Sequence, residues 1–235
     1  MKYKKICSYK KICSLVIVII IVMSIGSSNV SAEQCTDVVY YKKNSQKKIA
    51  LTFDDGPHPT YTPEILDILK EYNIKATFFV VGQNVELYPD IVKRAISEEH
   101  DIGNHTFTHC HISETAFEVI IDEIQSCEDK IYELCEYHVK LFRPPEGVLP
   151  DDVRNYAVNE DYSVILWSID TYDWARAPIS NIKRNITKNI SSGDIILMHD
   201  YVPDSITPQA LRIIIPMLLE QGYQFVTVSE LIGCE

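Results

Sequence analysis

The feature that most constrains this chain is an alternation of short apolar runs with stretches of helical spacing. Ile49–Phe53, Ala76–Val81, Val164–Trp167, Ile195–Met198 and Gln224–Val228 are brief and rich in β-branched or aromatic residues, which predicts strands. Between the first two, Ile65, Leu66, Ile68 and Leu69 follow Thr62-Pro63, whose proline suits a first helical position. A second helix is expected from Tyr88-Pro89-Asp90 to Glu99. A longer one begins at Ser113, with Phe117, Ile120, Ile121, Ile124, Ile131 and Leu134 on one side. Pro150-Asp151, Ile179-Ser180 and Thr207-Pro208 open three more, the last ending at Gly222. Strands alternating with helices predict an α/β domain on a parallel sheet, and periodicity alone leaves that sheet open or closed. No glycine-rich phosphate loop follows the first strand, so a nucleotide-binding reading has no support.

The first 32 residues differ from the rest. Five lysines, no acid, the apolar run Ile12–Ile25 and the small residues Val30-Ser31-Ala32 read as a secretory signal peptide. An uncleaved N-terminal membrane anchor is the alternative, although the run is short for a span. Residues 33–47 form an entry segment and 48–235 the folded domain. Five of the 22 basic residues lie in the leader, leaving 17 against 33 acidic ones, a formal charge of −16. So acidic a surface lacks the basic footprint of a nucleic-acid binder, and it would meet a membrane only through the N-terminal segment if that is uncleaved. Cys35, Cys110, Cys127, Cys135 and Cys234 remain after the leader. Cys35 and Cys234, at opposite ends, are a candidate clasp in an oxidising compartment. Cys127 and Cys135 lie eight residues apart on the long helix, roughly 12 Å along its axis and too far for a bridge.

The first strand closes on Asp54-Asp55-Gly56-Pro57. Neighbouring strand side chains point to opposite faces, so two aspartates serve one site only where the chain is leaving the strand. The ends of parallel strands are where such folds build active sites, yet Asp-Gly-Pro is equally good turn chemistry. His105 and His109 are four apart, and on a helical turn both rings would share a face and one metal. With Asp55 they would make a two-histidine, one-carboxylate set that suits zinc, iron or cobalt, and Asp54 would be free to act as a base.

Thr52-Phe53-Asp54-Asp55-Gly56-Pro57 and Gly103-Asn104-His105-Thr106 with His109 resemble the first two motifs of the polysaccharide deacetylases, the NodB-homology group of carbohydrate esterases. Phe142-Arg143-Pro144-Pro145-Glu146-Gly147, Trp167 to Trp174 and Ile195-Ile196-Leu197-Met198-His199-Asp200 are similar to the later three, in order. The resemblance runs from Lys48 to Leu231 and implies a distorted, seven-stranded (β/α) barrel. It also implies a metal-dependent N-deacetylase acting on N-acetylglucosamine-containing glycans such as peptidoglycan or chitin, secreted or held at the cell surface. Asp54 would be the general base, with Asp55, His105 and His109 holding one divalent ion, zinc first, with cobalt, iron or nickel also suited. His199 would protonate the leaving amine, Arg143 would steady Asp54, and Asp170 would hold His199 charged and oriented. The backbone N–H at Glu146 would face the developing oxyanion, and Leu197 and Trp174 would wall the acetyl pocket. Position 146 is commonly aromatic in the family, which puts the sugar contacts there in question. A carbohydrate-binding protein that keeps the fold without catalysis is the second reading.

Overall fold

The structure, a computed structural model, describes residues 38–234. The leader, whether cleaved or kept as an anchor, and Cys35 with its candidate link to Cys234, lie outside the described residues. Among the described residues no helix is long and apolar enough to cross a membrane.

Strand β1 (Lys48–Asp54) runs down the centre, with β2 (Thr77–Val80), β3 (Asp101–Asn104), β4 (Leu141–Phe142) and β5 (Ser163–Val164) on one side. On the other side lie β7 (Ile195–His199) and then β6 (Ile169–Asp170). All seven pair in parallel, and a short β8 (Gln224–Val226) shares an edge of β1 with β2, lying along Lys48–Ala50 while β2 takes Thr52–Asp54. The curled sheet is the distorted barrel expected, left open between β5 and β6. Residues 39–42 lie across that opening: Val39 bridges Ile165, and Tyr41 bridges Asp194 at the start of β7.

Two apolar layers sandwich the strands. Ile49, Leu51 and Phe53 face the larger cluster under the helices, whereas Ala50 joins Phe79, Leu141, Ile165, Ile195 and Val226 inside the curl. Alternation therefore places Thr52 and Asp54 on the inner face with Ala50, and Asp54 ends that row at the mouth. The helices are α1 (Tyr61–Glu71), α2 (Gly82–Leu87), α3 (Pro89–Ser97), α4 (Phe117–Cys135), α5 (Asp151–Asn159), α6 (Ile179–Asn189), α7 (Thr207–Glu220) and α8 (Val228–Ile232). In α4, Ile120, Ile124, Cys127 and Ile131 are buried at alternating four- and three-residue spacing, the stripe that a helix covering a sheet requires.

Several boundaries differ from the sequence expectation. Helix α1 starts two residues before Pro63, and Ser113 lies in a single 3-10 turn ahead of α4. Strand β3 is invisible to periodicity because Ile102 is its one large apolar residue. It is fixed instead by pairing on both edges and by Gly103, where a Cβ would stand 2.4 Å from the Phe79 ring. The run Val164–Trp167 leaves the sheet after Ile165, so Trp167 is not a strand residue.

Candidate active site

The aspartate pair is split by its backbone. Asp54 is the last residue of β1, whereas Asp55 takes φ 76°, a left-handed conformation that swings its carboxylate toward the same mouth. Asn84 donates to the Asp55 carbonyl at 2.8 Å and holds the bend. Gly56 is required sterically: a Cβ there would lie 2.2 Å from the buried carboxylate of Asp200. Burial pushes that Asp200 carboxyl up to about 7, against the Thr62 hydroxyl that donates to it.

His105 and His109 do meet at one point, with ring centroids 5.0 Å apart, but not on a helical turn. They lie on the loop after β3, where Thr106 and His109 are both left-handed. The Asn104 side chain shapes this loop, accepting from Thr106 N–H at 2.9 Å and donating to the Ile124 carbonyl at 2.8 Å. The His105 Nδ1 lies 2.7 Å from the Arg143 carbonyl. A carbonyl only accepts, so a proton sits on Nδ1 and Nε2 is the ring nitrogen turned to the site. That Nε2 is 3.4 Å from Asp55 Oδ1, and His109 Nε2 is 3.2 Å from the same oxygen. Burial alone would raise the Asp55 carboxyl, but the two imidazoles outweigh it and hold it well below the usual carboxylate range. Three donor atoms within 4.8 Å of one another, one of them a firmly charged carboxylate, fit a divalent cation.

Asp54 belongs to a different network. Arg143, fully buried, donates from Nη1 to Asp54 at 2.7 Å and to Thr52 Oγ1 at 2.8 Å. Its Nε and Nη2 reach the carbonyls of Ile165 and Leu166, and its plane lies 4.0 Å over the Phe79 ring. A planar guanidinium with all three nitrogens bonded fixes one oxygen of Asp54 and leaves the other facing the pocket.

His199 lies directly across from Asp54 in the register of β1 and β7. The carboxylate that orients it is Asp173, not Asp170 as the family resemblance implied. Asp173 Oδ1 accepts from the His199 Nδ1–H at 2.9 Å, and Oδ2 accepts from the His199 backbone N–H at 2.8 Å and the Thr207 hydroxyl at 2.7 Å. Burial pulls the imidazole down, but Asp173, then Asp54 and Asp55, carry it up to about 9. Asp170 instead accepts from the Tyr172 N–H and the Trp174 indole, three residues away from the role assigned to it.

These groups floor a cavity of about 460 Å³ whose walls include Leu197, Trp174, Glu146, Asp170 and Trp167. Trp167 is a wall residue, and Gly147 lies against it: a Cβ there would stand 2.7 Å from the indole. Glu146, left-handed at φ 59°, sits at the rim with its carboxylate 2.9 Å from His111 Nδ1. A larger hollow of about 610 Å³ opens among Lys75, Asp101 and Glu230, at the opposite ends of the strands from those where such folds do chemistry.

The family model of the polysaccharide deacetylases matches residues 41–165. A peptidoglycan-N-acetylglucosamine deacetylase of Bacillus cereus is 44% identical over 198 residues, covering 83% of this chain and 92% of the relative. A chitooligosaccharide deacetylase of Sinorhizobium fredii is 34% identical over 187 residues, covering 74% and 87%. The crystal structure of a peptidoglycan N-acetylglucosamine deacetylase in complex with 4-naphthalen-1-yl-N-hydroxybenzamide matches at a TM-score of 0.81 and 35% identity, over 84% of this chain and 94% of that one. On its motifs, its barrel and these relatives alike, the chain belongs to the polysaccharide deacetylase family.

Proposed function

We propose that this chain is a metal-dependent N-deacetylase that hydrolyses the acetamido group of N-acetylglucosamine in peptidoglycan or a related glycan, releasing acetate. One observation carries the reading: adjacent carboxylates are committed to different partners, Asp54 to Arg143 and Asp55 to the two histidines. Asp55, His105 and His109 would hold one divalent ion, with zinc the best match to the donors, and it would supply Lewis acidity, acidifying water and polarising the amide carbonyl. Asp54, anchored on one oxygen, takes the proton from the attacking water with the other. The backbone N–H at Glu146 donates to the carbonyl oxygen as it gains charge. His199, kept protonated by Asp173, gives its proton to the nitrogen as the C–N bond breaks, so an amine leaves rather than an amide anion. Leu197 and Trp174 enclose the acetyl methyl. The basic, then apolar, then small-residue leader supports action outside the cell or at its surface, where a wall polymer would be met.

Acetate release from N-acetylated peptidoglycan, chitin and poly-N-acetylglucosamine, before and after chelation and with metal added back, tests this reading. Release lost with the metal and restored by it is expected. No release from any polymer by metal-loaded protein would overturn it.

A further inference from the structure

Beside the pocket, the fold leaves two large aromatic rings in water side by side. Trp174 is 51% exposed and Tyr172 49%, with ring centroids 6.1 Å apart and planes tilted by 44°. Trp174 forms part of the pocket wall, and Tyr172, which does not line the pocket, adjoins the Trp174 ring. Burying such rings is a main source of folding free energy, so an exposed pair at a site mouth points to a ligand. The backbone is held against its preference as well: Tyr172 has φ 59°, a region a bulky residue rarely enters. Asp170 fixes the corner, its Oδ1 accepting from Tyr172 N–H at 2.7 Å and its Oδ2 from the Trp174 indole at 3.4 Å. From behind, Thr171 Oγ1 donates to the Leu197 carbonyl at 2.9 Å, which ties the corner to the strand that carries His199.

We propose that Tyr172 and Trp174, with Asp170 as their positioning residue, form a subsite that stacks on the pyranose ring next to the N-acetylated sugar being cleaved. This rests on the deacetylase reading and adds to it a requirement for chain length. A pyranose presents an apolar face of C–H bonds, electropositive at the hydrogens, which complements the negative face of an aromatic ring. Its hydroxyls, at the ring edge, stay in water. The pair is continuous with the pocket wall, so the sugar it meets is one linked to the sugar in the pocket. Two rings are also far too little surface for a second protein, which needs on the order of 1,000 Å².

The test is kcat/KM for acetate release from N-acetylglucosamine oligomers of increasing length, with metal-loaded wild type, Tyr172→Ala, Tyr172→Phe and Asp170→Asn. The advantage of a hexamer over a dimer should shrink about tenfold in Tyr172→Ala, a loss expected in KM rather than kcat. Tyr172→Phe should keep that advantage because it keeps the ring, and Asp170→Asn should fall between. An unchanged hexamer-to-dimer ratio in Tyr172→Ala, or an equal fall in Tyr172→Phe, would overturn the subsite. Tryptophan fluorescence on adding the hexamer reads the same contact without turnover. If wild type released no acetate yet showed a hexamer-dependent change that Tyr172→Ala abolished, the subsite would stand and the deacetylase reading would fall. No change in wild type would sink the subsite itself.

Discussion

The two walls of the pocket are built by opposite means. On the side of β1, β3 and β4, Asp54, Arg143 and His105 are buried and held by bonds that leave each side chain a single arrangement. On the side of the loop after β6, Trp174 and Tyr172 stand half in water, and their arrangement comes from turns of the backbone around Asp170 and Asp173. Proton transfer and metal binding demand placement to a fraction of an ångström, which burial supplies. A polymer sliding across the mouth needs a surface that stays accessible, and that wall trades burial for exposure. His199 joins the two, sitting on a core strand while taking its charge from a loop carboxylate.

That contrast is open to direct challenge. The largest effect should come from Asp55→Ala, which removes the proposed carboxylate ligand: bound metal by elemental analysis and acetate release should disappear together. Retained metal with full activity would break the assignment. Next, Arg143→Met strands the Asp54 carboxylate in a dry site, and should cost about 3–5 kcal/mol in urea unfolding. Tyr172→Ala, on the exposed wall, should stay within about 0.5 kcal/mol of wild type in the same experiment. Equal losses would erase the distinction between the walls.

Asp173→Asn should lower kcat about 10- to 100-fold and reshape the pH profile. The proposed acid, His199, would work only while protonated, so the rate should fall as pH rises through its pKa, raised to about 9 with Asp173 beside it. Removing that charge lowers the pKa, and the basic limb should move to lower pH. Asp170→Asn, the smallest effect, should leave the basic limb in place, since Asp170 bonds to the loop rather than to the imidazole. A limb that moved with Asp170 and not with Asp173 would reverse the assignment.

The buried wall was the more legible in the sequence, for a physical reason. Charged residues set in apolar surroundings, such as Asp54 at the end of Ile49–Phe53 and Arg143 between Phe142 and Pro144, are costly unless they have work to do. Even so, Asp54-Asp55-Gly56-Pro57 reads equally well as a turn, and the role of Arg143 came from the resemblance of its motif rather than from composition. On the loop wall, Asp170 and Asp173 lie three residues apart in one motif, and only the fold decides which faces His199. The same holds for the left-handed turns at Thr106 and His109, which bring the two histidines together without a helix. Strand β3 was hidden because its glycine answers to the Phe79 ring, a neighbour no periodicity in Asp101–Asn104 could name.

The central claim is the division of labour between Asp54 and Asp55, and Asp54→Asn tests it most directly. Asparagine nearly matches the shape and still accepts from Arg143, but it cannot take a proton from water. Acetate release and metal content measured on one preparation should show metal bound at the wild-type level with turnover lowered by about a thousandfold. Turnover at the wild-type rate with the metal in place would contradict the account.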